Sequence, residues 1–229
     1  MQKNFPKSSY NESVTPEEQE QIELLASGLC FSTVVLEELI PEELINCGDF
    51  GCVFLTNQPG VVVKIGRQWS EYQFARGIIE QNLQHPGLPR IYEAINLQEA
   101  LGAPYYAIIR EDIPDLVGVD MSWLDEILAD LEFQTEDADN SDAILDAAVE
   151  ILAARPGIPS DELLFKKVAE LTAWCYDQGI LLGDTLASNF GQTSPGTIKI
   201  RDLGGARFQS SGPLAGQWLD FLRDFPMSN

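Results

Sequence analysis

The spacing of apolar residues changes character near residue 115, and no other feature of the chain limits its fold so strongly. Before that point apolar residues sit in short β-rich runs, "CFSTVVLEEL", "CVFLTN", "VVVKIG", "RIYEAINLQ" and "PYYAIIRED". Beyond it, "SWLDEILADLEF", "SDAILDAAVEILAA" and "SDELLFKKVAELTAWCYDQG" carry apolar residues at the 3.6-residue period of helices with one buried stripe. Strands grouped first and helices second predict an α+β fold in two lobes. The expected organisation is a polar N-terminal arm over 1–14, a lobe of one helix plus a small antiparallel sheet over 15–112, and a mostly helical lobe over 113–229.

Local signals refine this outline. Thr15 is placed to cap a helix whose first turn holds Pro16 and early glutamates, which suit the positive end of a helix dipole. "NQPG" is a turn by composition, so Cys52 to Ile65 reads as a hairpin. Tyr72, Ala75, Ile78, Ile79 and Leu83 predict a helix that stops before His85-Pro86-Gly87. Ser160 is the expected cap and Gly179 the expected stop of the last long helix. "TIKIRDL" reads as a short strand and "GPLAGQWLDFLRDF" as a closing helix.

Composition excludes several function classes. The formal charge of −22 makes the chain repel phosphate backbones and anionic lipid, so neither nucleic acid nor a membrane is an expected partner. No apolar run reaches the length of a membrane span, and "MQKNFPKSSYNESVTPEEQEQ" lacks the apolar core of a secretion signal. Cys30, Cys47, Cys52 and Cys175 form no C-x-x-C pair, and a single histidine is too few for a zinc site. They are therefore expected to be reduced, mostly buried thiols in a cytoplasmic protein. Between Glu111 and Ala154 there are fourteen acidic residues and no Lys or Arg. That stretch, which includes the acidic segment around Glu132 to Asp146, reads as a solvated face, as a docking surface for a basic protein partner, or as an adaptation to high salt.

Two motifs carry candidate chemistry. In "INCGDFGCVFLTNQPGVVVKIG", Gly48 and Gly51 lie between strand-like runs and Lys64 follows in the second strand of the hairpin. Glycines there let backbone N–H groups approach an anion, and the lysine can reach the same anion as a point charge. The alternative is a hairpin that merely contains a lysine. In "GDTLASNFGQTSPGTIKIRDLGG", Asp184, Asn189 and Asp202 form D-x-x-x-x-N followed thirteen residues later by D-L-G. Asn189 and Asp202 are hard oxygen donors of the kind Mg²⁺ takes, and Asp184 can orient or deprotonate a hydroxyl nucleophile. Each aspartate can equally be a turn residue beside a glycine.

Taken in order, the two motifs with the helix, the His-Pro turn and the strands between them resemble the protein kinase-like fold, including aminoglycoside-phosphotransferase-like and small atypical bacterial kinases. "NCGDFGCV" is similar to the Gly-rich loop G-x-G-x-x-G-x-V, with Asn46 at the first glycine and Val53 at the closing valine. "VVVKI" resembles the lysine strand, "GDTLASN" the catalytic loop and "IKIRDLGG" the D-F-G region. The resemblance runs from about Leu44 to Arg207. It implies that Lys64 touches the α- and β-phosphates of ATP and pairs with a glutamate on the next helix, Glu71 before Glu80. It further implies Asp184 as the catalytic aspartate, Asn189 and Asp202 as Mg²⁺ ligands, and "IIREDIP" with Ile109 as the hinge beside the adenine. His85 reads as a helix end, and Trp174 and Tyr176 as core residues.

Departures from the family are equally specific. Leu182-Gly183-Asp184 stands where protein kinases carry H-R-D, Leu186 where serine/threonine kinases carry a lysine, and Leu203 at the phenylalanine of D-F-G. Only 27 residues follow Asp202, too few for an activation segment and a helical platform for protein substrates. Three readings stand: an ATP- and Mg²⁺-dependent phosphotransferase with an unidentified acceptor, a catalytically inactive kinase-like module acting by protein interaction, and a plain acidic α+β domain.

Overall fold

The computed structural model describes residues 14–33, 35–135, 138–183, 185–193 and 196–208. Backbone contacts divide the chain into two compact units. One is built from the residues up to Tyr72 together with Ile91–Asp112. The other is built from Gln73–Arg90 together with the residues from Ile113 onward.

The first unit begins with helix α1 (Pro16–Ser27), whose start is closed as its sequence predicts. The Thr15 hydroxyl accepts the Glu18 N–H while the Glu18 carboxylate accepts the Thr15 N–H, so two orphan donors of the first turn are satisfied reciprocally. Strands β1 (Pro41–Gly48), β2 (Gly51–Thr56), β3 (Val61–Gly66), β4 (Ile91–Asn96) and β5 (Tyr106–Glu111) form one antiparallel sheet in the order β1-β2-β3-β5-β4. Helix α2 (Trp69–Glu80) leaves the end of β3, and the short helix α3 (Leu97–Leu101) joins β4 to β5. One sheet face contributes Cys52, Phe54, Val63, Ile65, Ala107 and Ile109 to a core completed by Ile22 and Ala26 of α1. An ion pair from Arg67 to Glu18 and a hydrogen bond from the Tyr105 hydroxyl to Gln21 fasten α1 at its polar side.

Two expectations fail in this unit. Among its described residues "CFSTVVLEEL" makes an isolated bridge between Phe31 and Leu39 and no strand, and the first strand is instead the charged stretch "PEELINCG". β1 lies at the sheet edge, where only one side needs to be apolar. Its opening proline, exposed Glu42 and Glu43, and a register shift between Leu44 and Asn46 are edge devices that the apolar pattern does not report. The cysteines are also not all reduced, because Cys47 and Cys52 form a disulfide. The two-residue turn at Asp49-Phe50 sets the β1–β2 register so that Cys47 faces Cys52 directly, and opposed residues share one face of a sheet. Cys30 and Cys175 are free thiols, the latter buried.

In the second unit, helices α4 (Met121–Thr135), α5 (Ser141–Ala154) and α6 (Pro159–Asp177) follow one another as their periodicity predicts. Leu124, Ile127, Leu128 and Leu131 of α4 are buried, as are Ile144, Ala148 and Ile151 of α5 and Leu164, Phe165, Val168 and Leu171 of α6. Ser160 does not cap α6: Ile158 holds that position without a side-chain bond, and Pro159 supplies the first helical residue. Gly179 does end α6, with φ of 72°. Beyond it come β6 (Ile180–Leu182), a 3₁₀ turn (Ala187–Asn189), β7 (Phe190–Thr193), β8 (Thr197–Ile200) and β9 (Ala206–Phe208), paired antiparallel as β6 with β9 and β7 with β8. The architecture is α+β. The expected closing helix "GPLAGQWLDFLRDF" and the catalytic candidate Asp184 lie outside the described residues.

Candidate functional site

In the first unit the site begins with the alternation of β3. Val63 and Ile65 point to the core shared with α1, so Lys64 points to the other face. Across the sheet, Val53 of β2 and Ile108 of β5 lie opposite Lys64 and form one row with it. Ile109 is one residue out of that row. It is fully buried in the core beside Val63, and Ile108 occupies the position on the lysine's face.

Lys64 is itself only 4% exposed, and burying an ammonium group without a partner costs several kcal/mol. Its Nζ stands 2.8 Å from Oε1 of Glu71, which is equally buried. Glu71 lies in the first turn of α2, where the helix dipole favours a carboxylate. The glutamate has a second ligand: the Tyr106 hydroxyl donates to Oε2 at 2.5 Å. Trp69 and Tyr72 pack around the Tyr106 ring, with centroids 6.0 and 5.9 Å away. Lys64, Glu71 and Tyr106 thus come from a strand, a helix and a second strand, and each removes a polar group of another from an apolar setting.

Three glycines shape this region for different reasons. Gly66 sits opposite Tyr106 in the β3–β5 register, and a Cβ on it would overlap the Tyr106 hydroxyl and the Phe50 carbonyl. Only glycine leaves the tyrosine a path to Glu71. Gly51, at φ of 154° and opposite Gly66 in the β2–β3 register, lies so close to β3 that a Cβ would strike the Ile65 carbonyl oxygen. Gly48 differs from both, since a Cβ there meets nothing within 4 Å. Packing does not demand its glycine, which leaves open space beside the backbone at the hairpin tip.

In the second unit a hairpin closes the thirteen-residue gap between the other candidates. β7 and β8 pair Phe190 with Ile200, so Asn189 just before β7 meets Arg201 and Asp202 just after β8. The Asn189 carbonyl accepts N–H groups from Arg201 at 2.7 Å and Asp202 at 3.3 Å. The Asp202 Oδ1 accepts the Gly204 N–H at 2.8 Å, bending the chain toward β9, and Leu203 is buried. β6 and β9 then bring Gly183 beside Gly205, whose carbonyl accepts the Gly183 N–H at 3.0 Å and would lie 2.8 Å from a Cβ at position 183.

The segment after Gly183 is held from α4. Leu186 cannot cap the 3₁₀ turn, and the Asp125 carboxylate does so from sixty-two residues away by accepting the Ala187 N–H at 2.7 Å. The Thr185 hydroxyl donates to Glu132 at 2.8 Å. Asp130 and Glu126 lie 3.1 and 3.7 Å from Arg155. Four acidic groups of the segment therefore bind within the unit.

His85 stacks on Trp174 with ring centroids 4.3 Å apart, and its Nδ1 accepts the Gly87 N–H at 3.0 Å. Burial holds its pKa below the ordinary 6.5, so the ring is neutral at pH 7. Burial likewise pushes the Cys175 thiol up to about 12, leaving it unreactive. Among the described residues no three His, Cys, Asp or Glu side chains gather as a metal site, and no helix is long and apolar enough to cross a membrane.

Sequence reasoning named Lys64, Glu71, Asn189 and Asp202 but missed Tyr106, Asp125 and Glu132. Tyr106 depends on strand register. Asp125 and Glu132, seven residues apart on one helical face, left a faint signal that the surrounding run of acidic residues hid. The sequence matches no protein-family model and no curated protein.

Proposed function

We propose that the chain is an ATP- and Mg²⁺-dependent phosphotransferase of minimal kinase-like, two-lobed build. The observation that carries the reading is the buried Lys64–Glu71 pair with Tyr106 as its third member. An ion pair is not the cheapest way to fill such a space, because apolar residues of similar volume do so without desolvating two charges. A fixed lysine on a strand adjoining a glycine tip suits a phosphate ligand. Gly48 supports the same reading, with backbone left open where packing asks for no glycine.

The donor set of the second unit suits Mg²⁺, a hard ion commonly held by one or two carboxylates, with waters and phosphate oxygens completing its shell. Asn189 and Asp202, adjacent at the open end of one hairpin, would hold it, and it would neutralise charge developing on the transferred phosphoryl group. Lys64 would orient the α- and β-phosphates, Gly48 and Gly51 would offer backbone N–H groups, and Asp184 would accept the proton of the attacking hydroxyl. A cytoplasmic setting belongs to this proposal. There the Cys47–Cys52 bond would be reversible rather than permanent.

A catalytically inactive module acting by protein interaction is the second reading, and α5 is the observation that favours it. Leu145 and Val149 stand exposed there among Asp142, Asp146 and Glu150, a face suited to a basic amphipathic partner.

Thermal unfolding with and without MgATP tests the first reading. At one hundred times the dissociation constant, binding stabilises the wild type by about 2.7 kcal/mol, and Asp202→Asn abolishes that gain while leaving the unliganded Tm nearly unchanged. An unliganded-like Tm for the wild type at millimolar MgATP would overturn nucleotide binding. If MgATP binds but labelled γ-phosphate stays on ATP in the presence of cell extract, the inactive module is the better account.

A further inference from the structure

Cys47 and Cys52 bracket the tip of the β1–β2 hairpin, and their disulfide closes Gly48, Asp49, Phe50 and Gly51 into a small ring. The two halves of that ring are held unequally. On one side, Cys52 is fully buried in the core and paired with Ile65, the Phe50 carbonyl accepts the Arg67 N–H at 3.1 Å, and Gly51 lies against β3. Those ties do not depend on the sulfur bridge. On the other side, Cys47 is half-buried and Gly48 exposed on an edge strand whose ladder is already interrupted between Leu44 and Asn46. The disulfide is thus the covalent tie between the exposed half of the tip, which lies on the edge strand and pairs with β2 alone, and the core.

We propose that the Cys47–Cys52 bond is a reversible thiol switch that sets the affinity of the glycine tip for nucleotide phosphates, tight when oxidised and weaker when reduced. The inference rests on the nucleotide reading given above. A tip already fixed to the core loses less conformational freedom when it closes on an anion, whereas a reduced tip must be ordered by the ligand.

Burial decides the course of the exchange. A dithiol reductant attacks as a thiolate at the Cys47 sulfur, the more accessible of the two; the Sγ–Sγ bond breaks, and Cys52 leaves as a thiolate and takes up a proton. The second thiolate of the dithiol then displaces Cys47, which is protonated in turn. The protein gains two electrons and two protons, and the dithiol becomes a disulfide. Re-oxidation is the same exchange run backward from a disulfide oxidant. Buried Cys175 takes no part, while Cys30 is exposed and is removed from the test.

The experiment uses the full chain carrying Cys30→Ser, treated either with oxidised or with reduced dithiothreitol. Maleimide tagging in denaturant is expected to mark one thiol in the first sample and three in the second. Calorimetric titration with MgATP is expected to give affinity about five- to tenfold weaker in the reduced sample, the scale of ordering a few loop residues. Adding Cys47→Ser should fix the affinity at the reduced level whatever the treatment. Three tagged thiols in the oxidised sample, or affinity equal or tighter on reduction, would overturn the switch alone. An absence of MgATP binding in both samples overturns the nucleotide reading, and the switch with it.

Discussion

The Lys64–Glu71–Tyr106 group and the Asn189–Asp202 turn are held by opposite means. The first is a contact between buried side chains, two of them charged, drawn from β3, α2 and β5. The second is held by backbone N–H groups that bond to one carbonyl and one carboxylate. The Asn189 carbonyl takes two N–H groups, Asp202 accepts one from Gly204, and both side chains are only partly buried. Side chains in the first region are therefore buried parts of the packing, while in the second the Asn189 bonds run through its backbone and the Asp202 carboxylate carries one bond that an asparagine oxygen can also accept. Loss of activity alone would mean different things in the two places.

The largest expected effect is at Glu71. Glu71→Ala takes the carboxylate away from the buried Lys64 ammonium, and removing one member of a buried pair costs about 3–5 kcal/mol in urea denaturation. The double replacement Lys64→Met with Glu71→Leu should recover most of that loss, since apolar residues of similar volume need no compensation. A double variant as unstable as the single one would break the comparison, showing that the charges and not their pairing matter.

Tyr106→Phe comes next. It deletes the hydroxyl that donates to Glu71 and keeps the ring against Trp69 and Tyr72, so a loss of about 1.5–3 kcal/mol is expected, the range for a hydrogen bond to a charged group. Restoring the methyl-sized volume by Gly66→Ala in the same variant should not rescue it, because the Phe50 carbonyl also occupies that space. A Tyr106→Phe protein as stable as the wild type would mean that the hydroxyl only fills room beside Glu71.

Asp125→Ala sharpens the other side of the comparison. It removes the cap of the 3₁₀ turn at Ala187, at a cost of about 1 kcal/mol, and should raise amide exchange at Ala187 while leaving β3 unchanged. Asn at this position should retain most of the protection, because its side-chain oxygen can accept the same N–H. Equal protection in the Ala variant would show that the hairpin alone fixes the turn.

These contrasts also explain what the sequence disclosed. Hydrophobic period revealed α4, α5, α6 and the β2–β3 hairpin because each buries one face, and burial imposes a period on the residues that carry it. β1 was hidden by the same logic, since an edge strand with exposed Glu42 and Glu43 has no apolar period to display. The Lys64–Glu71 pairing was legible only through a resemblance, and its third member Tyr106 was not, because nothing local in "PYYAIIRED" tells which tyrosine faces Gly66. Likewise, "CGDFGC" does not reveal a disulfide until a two-residue turn is known to set the register. Partners far apart in sequence are fixed by register and packing, and a single sequence does not record either.

The smallest effect concerns pH and reaches one region only. His85 is the chain's single histidine, and it lies in the unit that holds Asn189 and Asp202. The turn it closes is hooked to β8: the Gly87 carbonyl accepts the Ile200 N–H at 2.9 Å, and the Lys199 ammonium reaches the Leu88 carbonyl at 3.3 Å. Protonating Nδ1 removes the acceptor for the Gly87 N–H and places a charge in a ring that burial keeps neutral. Because the folded pKa lies below 6.5, the unfolded chain binds the proton first. The contribution of His85 is whole above that value and is lost as the pH falls through the lower, folded pKa. Between neutral pH and the carboxylate range, denaturation midpoints should therefore decline for the wild type and stay level for His85→Gln, whose side-chain oxygen accepts without titrating. Parallel declines in the two proteins would assign the acid sensitivity to the general charge of the chain, and the turn before β4 would then be independent of pH.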